Sequence, residues 1–378
     1  MKEVDLGVSV YNLRPDKINL LLNLGVNTVQ VPLHLERLNP DILFPLVNSN
    51  VKIIGKFIPS PRKQTPEEFK EQSLKLFNQY KGIIKIWDFG GEPETRPSQR
   101  GCRWPGTAVE FAKALKIFYE EGKNVDPENK IGAGGFISAT CNGFFGNDDR
   151  SHFLREFFAD GALDYMDFCS LDLFAFGYGG RKNIVAGFGK ISALLAEFGK
   201  ASLPITIAET GVPCEGDPGF YHIIQTEREQ AISLIQNAML FQQFGVSNMT
   251  WFSFNFDGWG LVTDKLTTRQ AFFAYKNLIF QIKGATFKGQ VKALPESSYS
   301  ERKLTDIIEW YKFEHSNKDV HCIFLTMPTT LVKVPPGEIA VYNMFGEAMF
   351  PGIVNLTREP LYFISSRGFL HQGNFLHQ

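Results

Sequence analysis

Residues 82–94 read Gly-Ile-Ile-Lys-Ile-Trp-Asp-Phe-Gly-Gly-Glu-Pro-Glu. The apolar run from Gly82 to Trp87 predicts a buried strand. The two glycines that follow let the backbone bend and let a ligand come close, and Pro93 forbids a further ladder hydrogen bond. We therefore expect Glu92 at the carboxyl end of a central strand, which is where α/β folds place their chemistry.

Strands and helices alternate on both sides of this stretch. The other predicted strands cover residues 4–10, 26–33, 51–58, 130–136, 166–174, 204–211 and 248–254. Helices are predicted at 15–24, 39–47, 65–80, 107–122, 151–158, 184–198, 226–244 and 268–282. Because the count reaches eight at regular spacing, this pattern predicts a parallel (β/α)8 TIM barrel rather than an open doubly wound sheet. No Gly-x-Gly-x-x-Gly motif follows the first strand, which removes the usual dinucleotide-binding interpretation.

The pattern changes after Gly284, where short β-type runs replace the helices. These runs cover residues 286–289, 307–313, 320–325, 330–334, 339–344, 352–356 and 360–364. Turn residues such as Pro335-Pro336-Gly337 separate several of them, which is typical of an antiparallel β-sandwich. The sequence therefore predicts a catalytic barrel over residues 1–284 and a small C-terminal β-sandwich domain over residues 285–378.

The composition excludes several classes of function. The 378 residues carry 39 basic and 40 acidic side chains, a net charge of -1, which predicts no binding to nucleic acid or to an anionic membrane. The 5 cysteines form no Cys-x-x-Cys pair and the 7 histidines no His-Glu-x-x-His motif, so no metal and no cofactor is predicted. No signal peptide and no membrane span of about 18 apolar residues is recognisable. We expect a cytoplasmic protein, with secretion of a processed form and the oligomeric state left open.

Two glutamates end two of the predicted barrel strands, Glu92 on the fourth and Glu209 on the seventh. Both are expected on the face where barrel active sites form. Two carboxyl groups that converge on one cleft suit glycoside hydrolysis, because one must donate a proton while the other, ionised, attacks or activates water. Burial and mutual repulsion push their pKa values apart and so assign the roles. Glu94, one pleat further along, is an alternative acid.

These motifs resemble those of clan GH-A glycoside hydrolases over nearly the whole chain. Gly91-Glu92-Pro93 is similar to the Asn-Glu-Pro that carries the acid/base on strand four. The run Ile205–Gly211 resembles strand seven, whose glutamate is the nucleophile, and Trp251 resembles the strand-eight tryptophan that floors the −1 sugar site. The resemblance implies that Glu92 is the general acid/base and Glu209 the nucleophile of a retaining enzyme, with carboxyl groups about 5 Å apart.

The chain departs from that clan at three supporting positions. Gly91 replaces the asparagine that bonds the sugar 2-hydroxyl, and Gln30 stands where an arginine often supports the nucleophile. Strand six carries Asp172-Leu-Phe where the clan often has His-x-Tyr. Since hydrogen bonds to the nucleophile tune its pKa and orientation, these departures imply an unusual substrate, replacement donors or weakened catalysis.

Further candidates for substrate binding lie on strand ends and loops of the same face, and each has a plain structural alternative. The predicted substrate-binding residues are Trp251, Gln30, His34, Asp172, Trp104, Asn255 and Trp259. The tryptophans are alternatively core or surface residues, Asp172 a buried structural carboxylate and His34 an ordinary histidine. Trp87 and Asp88 are predicted to be packing residues.

The leading hypothesis is a retaining, β-specific O-glycosyl hydrolase acting on an oligosaccharide, polysaccharide or glycoside by double displacement. A carbohydrate-binding barrel with degenerate or very weak catalysis is the alternative from a different class, and a barrel lyase or isomerase using two carboxylates is a third. The sequence leaves the sugar, the linkage, the choice between endo and exo action and the choice between hydrolysis and transglycosylation open.

Overall fold

The computed structural model describes residues 4–33, 38–59, 64–94, 104, 106–137, 151–174, 180–214, 226–291, 308–325, 330–333, 339–350 and 353–367. The chain divides into two compact units. The barrel unit comprises Asp5–Ile224 and Val246–Thr267. The sheet unit comprises Met1–Val4, Gln225–Gly245 and Thr268–Gln378.

Eight parallel strands close into a barrel in chain order. They are β1 (Asp5–Ser9), β2 (Thr28–Pro32), β3 (Lys52–Phe57), β4 (Ile86–Phe89), β5 (Lys130–Phe136), β6 (Phe168–Asp172), β7 (Ile205–Thr210) and β8 (Asn248–Trp251). Pairing of β1 with β8, from Asp5 opposite Asn248 to Val8 opposite Trp251, closes the sheet. The (β/α)8 TIM barrel that the sequence predicts is therefore confirmed.

Helices follow the strands at the predicted places. They are α1 (Pro15–Leu24), α2 (Phe44–Asn48), α3 (Pro66–Gln79), α4 (Ala108–Val125), α5 (Ser151–Ala159), α6 (Gly180–Glu197), α7 (Glu227–Phe244) and α8 (Gln270–Ile282). The predicted helix over 39–47 is split, because a 3-10 turn at Pro40–Leu43 precedes α2. No helix in these described ranges is both long and apolar enough to cross a bilayer.

A reciprocal cap fixes where α3 begins, as the Thr65-Pro66-Glu67-Glu68 motif predicts. The Thr65 hydroxyl accepts from the Glu68 amide at 3.2 Å, while the Glu68 carboxylate accepts from the Thr65 amide at 2.7 Å. The same arrangement starts α4 and α7. Because the cap satisfies amides that the helix itself leaves open, it determines where the preceding loop ends.

The central strand starts later than its sequence predicts. The amides of Ile83 and Ile84 both donate to the carbonyl of Tyr80, at 3.0 and 3.1 Å, so these two apolar residues belong to the turn after α3. The strand β4 then runs from Ile86 to Phe89. The prediction of a strand from Gly82 was wrong at its beginning, since an apolar run does not reveal whether its backbone pairs with a turn or a sheet.

The sheet unit contains a six-stranded antiparallel sheet and a two-stranded one. Its strands are β9 (Thr286–Gln290), β10 (Ile308–Glu314), β11 (Lys318–Leu325), β12 (Thr330–Lys333), β13 (Ile339–Tyr342), β14 (Ala348–Met349), β15 (Ile353–Leu356) and β16 (Leu361–Ser366). The larger sheet has the order β14-β13-β16-β11-β10-β9, and β12 pairs with β15. One apolar core joins Val354 and Leu356 of β15 to Trp310 and Phe363 of the larger sheet. Two sheets facing one core form the predicted β-sandwich.

Helices α7 and α8 belong to the sheet unit. The Gln236 amide donates to the carbonyl of Arg358 at 2.9 Å, and the Asn277 amide donates to the carbonyl of Met344 at 3.3 Å. The predicted domain boundary at residue 284 would separate these partners, and it stays a prediction.

Candidate active site

The carboxylate of Glu209 meets a buried lysine at the carboxyl end of β7. The Lys56 ammonium donates to Glu209 Oε1 at 2.5 Å. The Lys56 side chain is 3% exposed, whereas 12% of the Glu209 side chain remains exposed. The lysine comes from β3, so the barrel brings together residues 153 positions apart. Glu209 is therefore a partly solvent-accessible carboxylate that is paired with a buried cation.

A second carboxyl group, Asp172, lies on the other side of the same lysine. Its Oδ2 is 3.8 Å from Lys56 Nζ, and it stands opposite Glu209 in the β6–β7 ladder. No donor among the described residues bonds either of its oxygens. Burial raises the pKa of Asp172 well above its ordinary value; Lys56 opposes this, while the charges of Glu209 and Glu92 add to it. Asp172 therefore holds its proton far more strongly than an exposed aspartic acid does.

Lys56 remains charged although it is fully buried. Burial lowers the pKa of Lys56, but the negative charges of Asp172, Glu209 and Asp88 outweigh that effect and leave the pKa raised. A buried ammonium is tolerated only when it is paired in this way. It supplies positive charge at the centre of an acidic cluster.

The backbone of Gly135 connects this cluster to Glu92 through hydrogen bonds. The Gly135 amide donates to the hydroxyl of Ser170 at 2.8 Å, and that hydroxyl donates to Asp88 Oδ1 at 2.5 Å. The Gly135 carbonyl accepts from the Glu92 amide at 3.0 Å. Desolvation raises the pKa of Asp88, which Lys56 and the Ser170 hydroxyl partly offset. Asp88, predicted as a packing residue, is thus a bonded member of the polar cluster.

Glu92 adopts a left-handed backbone conformation with φ 52. A residue with a side chain adopts this region at a cost of about 1–2 kcal/mol, which surrounding contacts must offset. Here the hydrogen bond to Gly135 fixes it, and the side chain stays partly exposed. Glu94 is instead buried, and its Oε1 accepts from the Ile137 amide at 2.5 Å. This difference favours Glu92 over Glu94 as the accessible acid.

The positions where the chain departs from clan GH-A have structural counterparts. The Gln30 side-chain amide donates to the carbonyl of Ala208 at 3.3 Å, not to Glu209. A Cβ at Gly91 would lie 3.3 Å from Lys56 Cε and 3.3 Å from Ile58 Cδ1. The lysine stem therefore occupies space next to Gly91 that an asparagine side chain would need.

Aromatic rings gather at the same rim, beside the loops after β1, β6 and β8. Phe252 contacts Tyr11, Phe256 and Trp259, with ring centroids 5.9, 5.5 and 5.7 Å away. Phe256 is 39% exposed, and Tyr11 and Phe252 are half-buried. Trp259 is buried against Phe174. These rings form a partly exposed apolar wall next to the cluster.

The remaining predicted site residues occupy different places. Trp251 is fully buried, and its indole nitrogen has no partner among the described residues. Asn255, in the amide orientation that suits its neighbours, donates to the Tyr11 carbonyl at 3.2 Å and accepts from Lys17 Nζ at 2.8 Å. Trp104 is buried, donates to the Thr107 carbonyl at 3.0 Å, and lines a cavity of about 460 Å³ between α3 and α4. His34 lies outside the described residues.

The sequence-based reasoning missed Lys56. Its signal was a lysine near the carboxyl end of a mostly apolar strand, Val-Lys-Ile-Ile-Gly-Lys-Phe-Ile over 51–58, whose other lysine, Lys52, stands at the opposite end. A lysine within a buried parallel strand needs a partner for its charge. Among the described residues, no group of three or more histidine, cysteine, aspartate or glutamate side chains is arranged to hold a metal ion.

No family model and no curated protein sequence matches the chain. Solved structures match its fold over most of its length. A glucosidase from Croceicoccus marinus has a TM-score of 0.67 at 12% identity, covering 97% of this chain and 96% of that chain. The glycoside hydrolase family 30 subfamily 8 xylanase Xyn30A from Clostridium acetobutylicum has a TM-score of 0.63 at 10% identity, covering 97% and 96%. AbfB, a family 51 α-L-arabinofuranosidase from Bifidobacterium longum, has a TM-score of 0.62 at 11% identity, covering 93% and 89%. At these identities the likeness shows the fold, so the fold implied by the resemblance to clan GH-A is confirmed.

Proposed function

We propose that the protein is a retaining, β-specific glycoside hydrolase. Glu209 attacks the anomeric carbon while Glu92 gives its proton to the leaving oxygen, which forms a glycosyl ester and releases the alcohol. Glu92, now a carboxylate, takes a proton from water. The resulting hydroxyl attacks the anomeric carbon, so the sugar leaves with net retention and Glu209 is freed as a carboxylate.

The observation that carries this proposal is the pairing of Glu209 with Lys56. The proposed nucleophile attacks as a carboxylate, and the adjacent ammonium donates a charge-assisted hydrogen bond to that carboxylate. Glu92 lies near the start of the loop that follows β4 and remains partly exposed, as a proton donor to substrate must be. The charges of both glutamates contribute to the raised pKa of Asp172, which is consistent with side chains that share one acidic cluster. This arrangement supports two-carboxylate chemistry.

The aromatic wall supports a carbohydrate as the substrate. Aromatic faces pack well against the apolar C–H faces of sugars, and Phe252 and Phe256 offer partly exposed rings beside the acidic cluster. The similar solved structures include a glucosidase and a xylanase. We propose an oligosaccharide or a glycoside as the substrate, and we keep Trp251, Trp259, Asn255, Gln30, Asp172, Trp104 and His34 as proposed substrate-side residues.

Hydrolysis of a panel of aryl β-glycosides tests the reaction. We expect turnover by the wild type and a loss of at least about 1,000-fold in Glu209→Ala and in Glu92→Ala, because each removes a reacting group. Azide should rescue Glu209→Ala and yield a glycosyl azide of inverted configuration. Glu128→Ala, at an exposed glutamate, is the matched control and should keep wild-type rates. If the wild type hydrolyses every substrate no faster than the variant that carries both Glu92→Ala and Glu209→Ala, the proposed hydrolase activity is refuted.

A carbohydrate-binding barrel without useful turnover is the second candidate. It is favoured by the direct contact of Lys56 with Glu209, since an ammonium also makes a carboxylate a weaker nucleophile. Calorimetric titration of oligosaccharides separates the two candidates. Binding that is equal in wild type and Glu209→Ala, together with no turnover, would favour the binding protein.

A further inference from the structure

Glu209 has only one side-chain donor among the described residues, and it is Lys56. The position on β2 that could have supported the nucleophile carries Gln30, whose amide is bonded to the Ala208 carbonyl instead. Support for Glu209 therefore comes from β3. The lysine is less exposed than the glutamate it contacts, so it lies behind Glu209 as seen from solvent.

Two features hold the ammonium in this place. Its stem lies against Gly91, where any Cβ would approach Lys56 Cε to 3.3 Å. On its other side stands Asp172, 3.8 Å away and fully buried. Because Asp172 is beyond hydrogen-bond distance while Glu209 is at 2.5 Å, the ammonium is committed to Glu209.

We propose that Lys56 is the positioning residue of Glu209. Lys56 orients the Glu209 carboxylate in the free protein, and it stabilises that carboxylate as the leaving group when the glycosyl ester is hydrolysed. This inference rests on the proposed function. Lys56 touches neither substrate nor water in this role; it acts through Glu209. During the first step the C–O ester bond forms and Glu209 loses its charge, and during the second the bond breaks and the charge returns beside the ammonium.

The second step should depend on Lys56 more than the first. An ammonium in contact with a carboxylate stabilises its negative charge, which weakens it as a nucleophile but improves it as a leaving group. Without Lys56, hydrolysis of the ester should become rate-limiting. Accumulation of a covalent intermediate lowers kcat and KM together, which a loss of general stability would not do.

Lys56→Met tests the proposal in the full-length protein. We expect kcat to fall about 10- to 100-fold, the range that a lost hydrogen bond to a charged group produces, with a parallel fall in KM and a pre-steady-state burst of aglycone. Lys56→Gln, which keeps a donor without the charge, gives the same test if the methionine variant does not fold. Lys52→Met is the matched control. Lys52 lies on the same strand, pairs with Asp5 at 2.6 Å and is exposed, so its loss should change neither kcat nor KM.

Crystal structures of the same variants give a readout that needs no turnover. The Glu209 carboxylate should leave its wild-type orientation in Lys56→Met and keep it in Lys52→Met. An unmoved carboxylate with unchanged kinetics would overturn the role of Lys56. A wild-type protein without turnover, but with a displaced carboxylate in Lys56→Met, would instead overturn the proposed function, so the two failures are distinguishable.

Discussion

Asp172 and Glu209 stand opposite each other in one ladder, yet their surroundings give them different chemistry. Glu209 is partly exposed and bonds Lys56 directly, whereas Asp172 is fully buried and receives no hydrogen bond from the described residues. A buried carboxylate without donors is costly, so burial raises the pKa of Asp172, and the ammonium gives its hydrogen bond to Glu209. Burial thus gives the two carboxyl groups different surroundings, and of the two, Glu209 is the one that solvent reaches.

The raised pKa of Asp172 predicts how stability depends on pH. Because the folded state keeps this proton and the unfolded chain releases it near its ordinary pKa of 3.8, folding is favoured at low pH and loses this stabilisation as pH rises towards the folded pKa. In Asp172→Asn the side chain at position 172 is uncharged at every pH. As pH rises from about 4 towards the folded pKa, the free energy of unfolding of wild type should fall relative to the asparagine variant, by up to about 1.4 kcal/mol per pH unit.

Urea denaturation of both proteins across this pH range measures the difference. Asp160→Asn, at an exposed aspartate, is the control and should follow wild type. Parallel curves for wild type and Asp172→Asn would show that Asp172 is ionised in the folded protein. Asp88, whose pKa is also raised, is present in both proteins and interacts with Asp172, so Asp88→Asn in both backgrounds shows the share of the difference that Asp172 itself contributes.

At the residue scale the sequence predicted the two glutamates but not their surroundings. Glu92 and Glu209, whose roles stay a prediction, were chosen because each lies at or just past the carboxyl end of an apolar strand. Lys56 and Asp88 were not, since their partners come from β6 and β7, and no local pattern records which side chains a closed barrel brings together. The supporting shell is a property of the tertiary structure.

Strand β5 shows how one element shapes the site. Gly135 has φ +60, and a Cβ there would lie 2.8 Å from Asp172 Oδ2 and 3.2 Å from Gly91 Cα. Its amide and carbonyl bind Ser170 and Glu92. Only a residue without a side chain fits this position, because both the backbone conformation and the space require glycine.

Gly135→Ala should therefore damage the site more than it damages the fold. We expect a loss of stability of about 1–3 kcal/mol and a fall in kcat/KM of at least about 10-fold, since Asp172 and the Glu92 loop must both shift. Gly199→Ala is the matched control, with a similar φ of +72 and no atom within 4 Å of the added Cβ. It should lose stability by backbone strain but keep its activity. Chemical denaturation and steady-state kinetics measure both, and equal kinetic losses in the two variants would contradict this role of Gly135.

Elements were predictable where a local chemical signal marks their ends. The helix predicted over 65–80 starts at the Thr65–Glu68 cap, and the helix predicted over 15–24 ends just before Gly25, which has the left-handed conformation typical of glycine at a helix end. The start of β4 was not predictable, because Ile83 and Ile84 are as apolar as strand residues but bond back to Tyr80. The short strand β14 carries no recognisable pattern over its two residues and was missed.

On the scale of the whole molecule, the order of elements was readable but the grouping of elements was not. Eight alternating units and a β-rich end predicted the barrel and the sandwich. The helices α7 and α8 follow barrel strands in the chain, yet they form a compact unit with the C-terminal strands. Side-chain bonds such as Gln236 to Arg358 and Asn277 to Met344 cross the predicted boundary at residue 284. Such contacts link residues far apart in sequence, so composition alone does not reveal them.

Truncation tests whether residue 284 is a domain boundary. A chain of residues 1–284 loses the C-terminal segments that bond α7 and α8, among them the turn with Glu359, whose carboxylate pairs with Arg228. Several lost hydrogen bonds and the newly exposed helix surface should cost several kcal/mol, which lowers Tm by about 10 °C or more or leaves the chain insoluble.

A chain of residues 1–367, which keeps every described strand, is the control and should melt with the full-length protein. Scanning calorimetry of the three chains decides the point. If residues 1–284 unfold cooperatively at the full-length Tm, the barrel is an independent domain, and the grouping of α7 and α8 with the sandwich reflects proximity rather than shared stability.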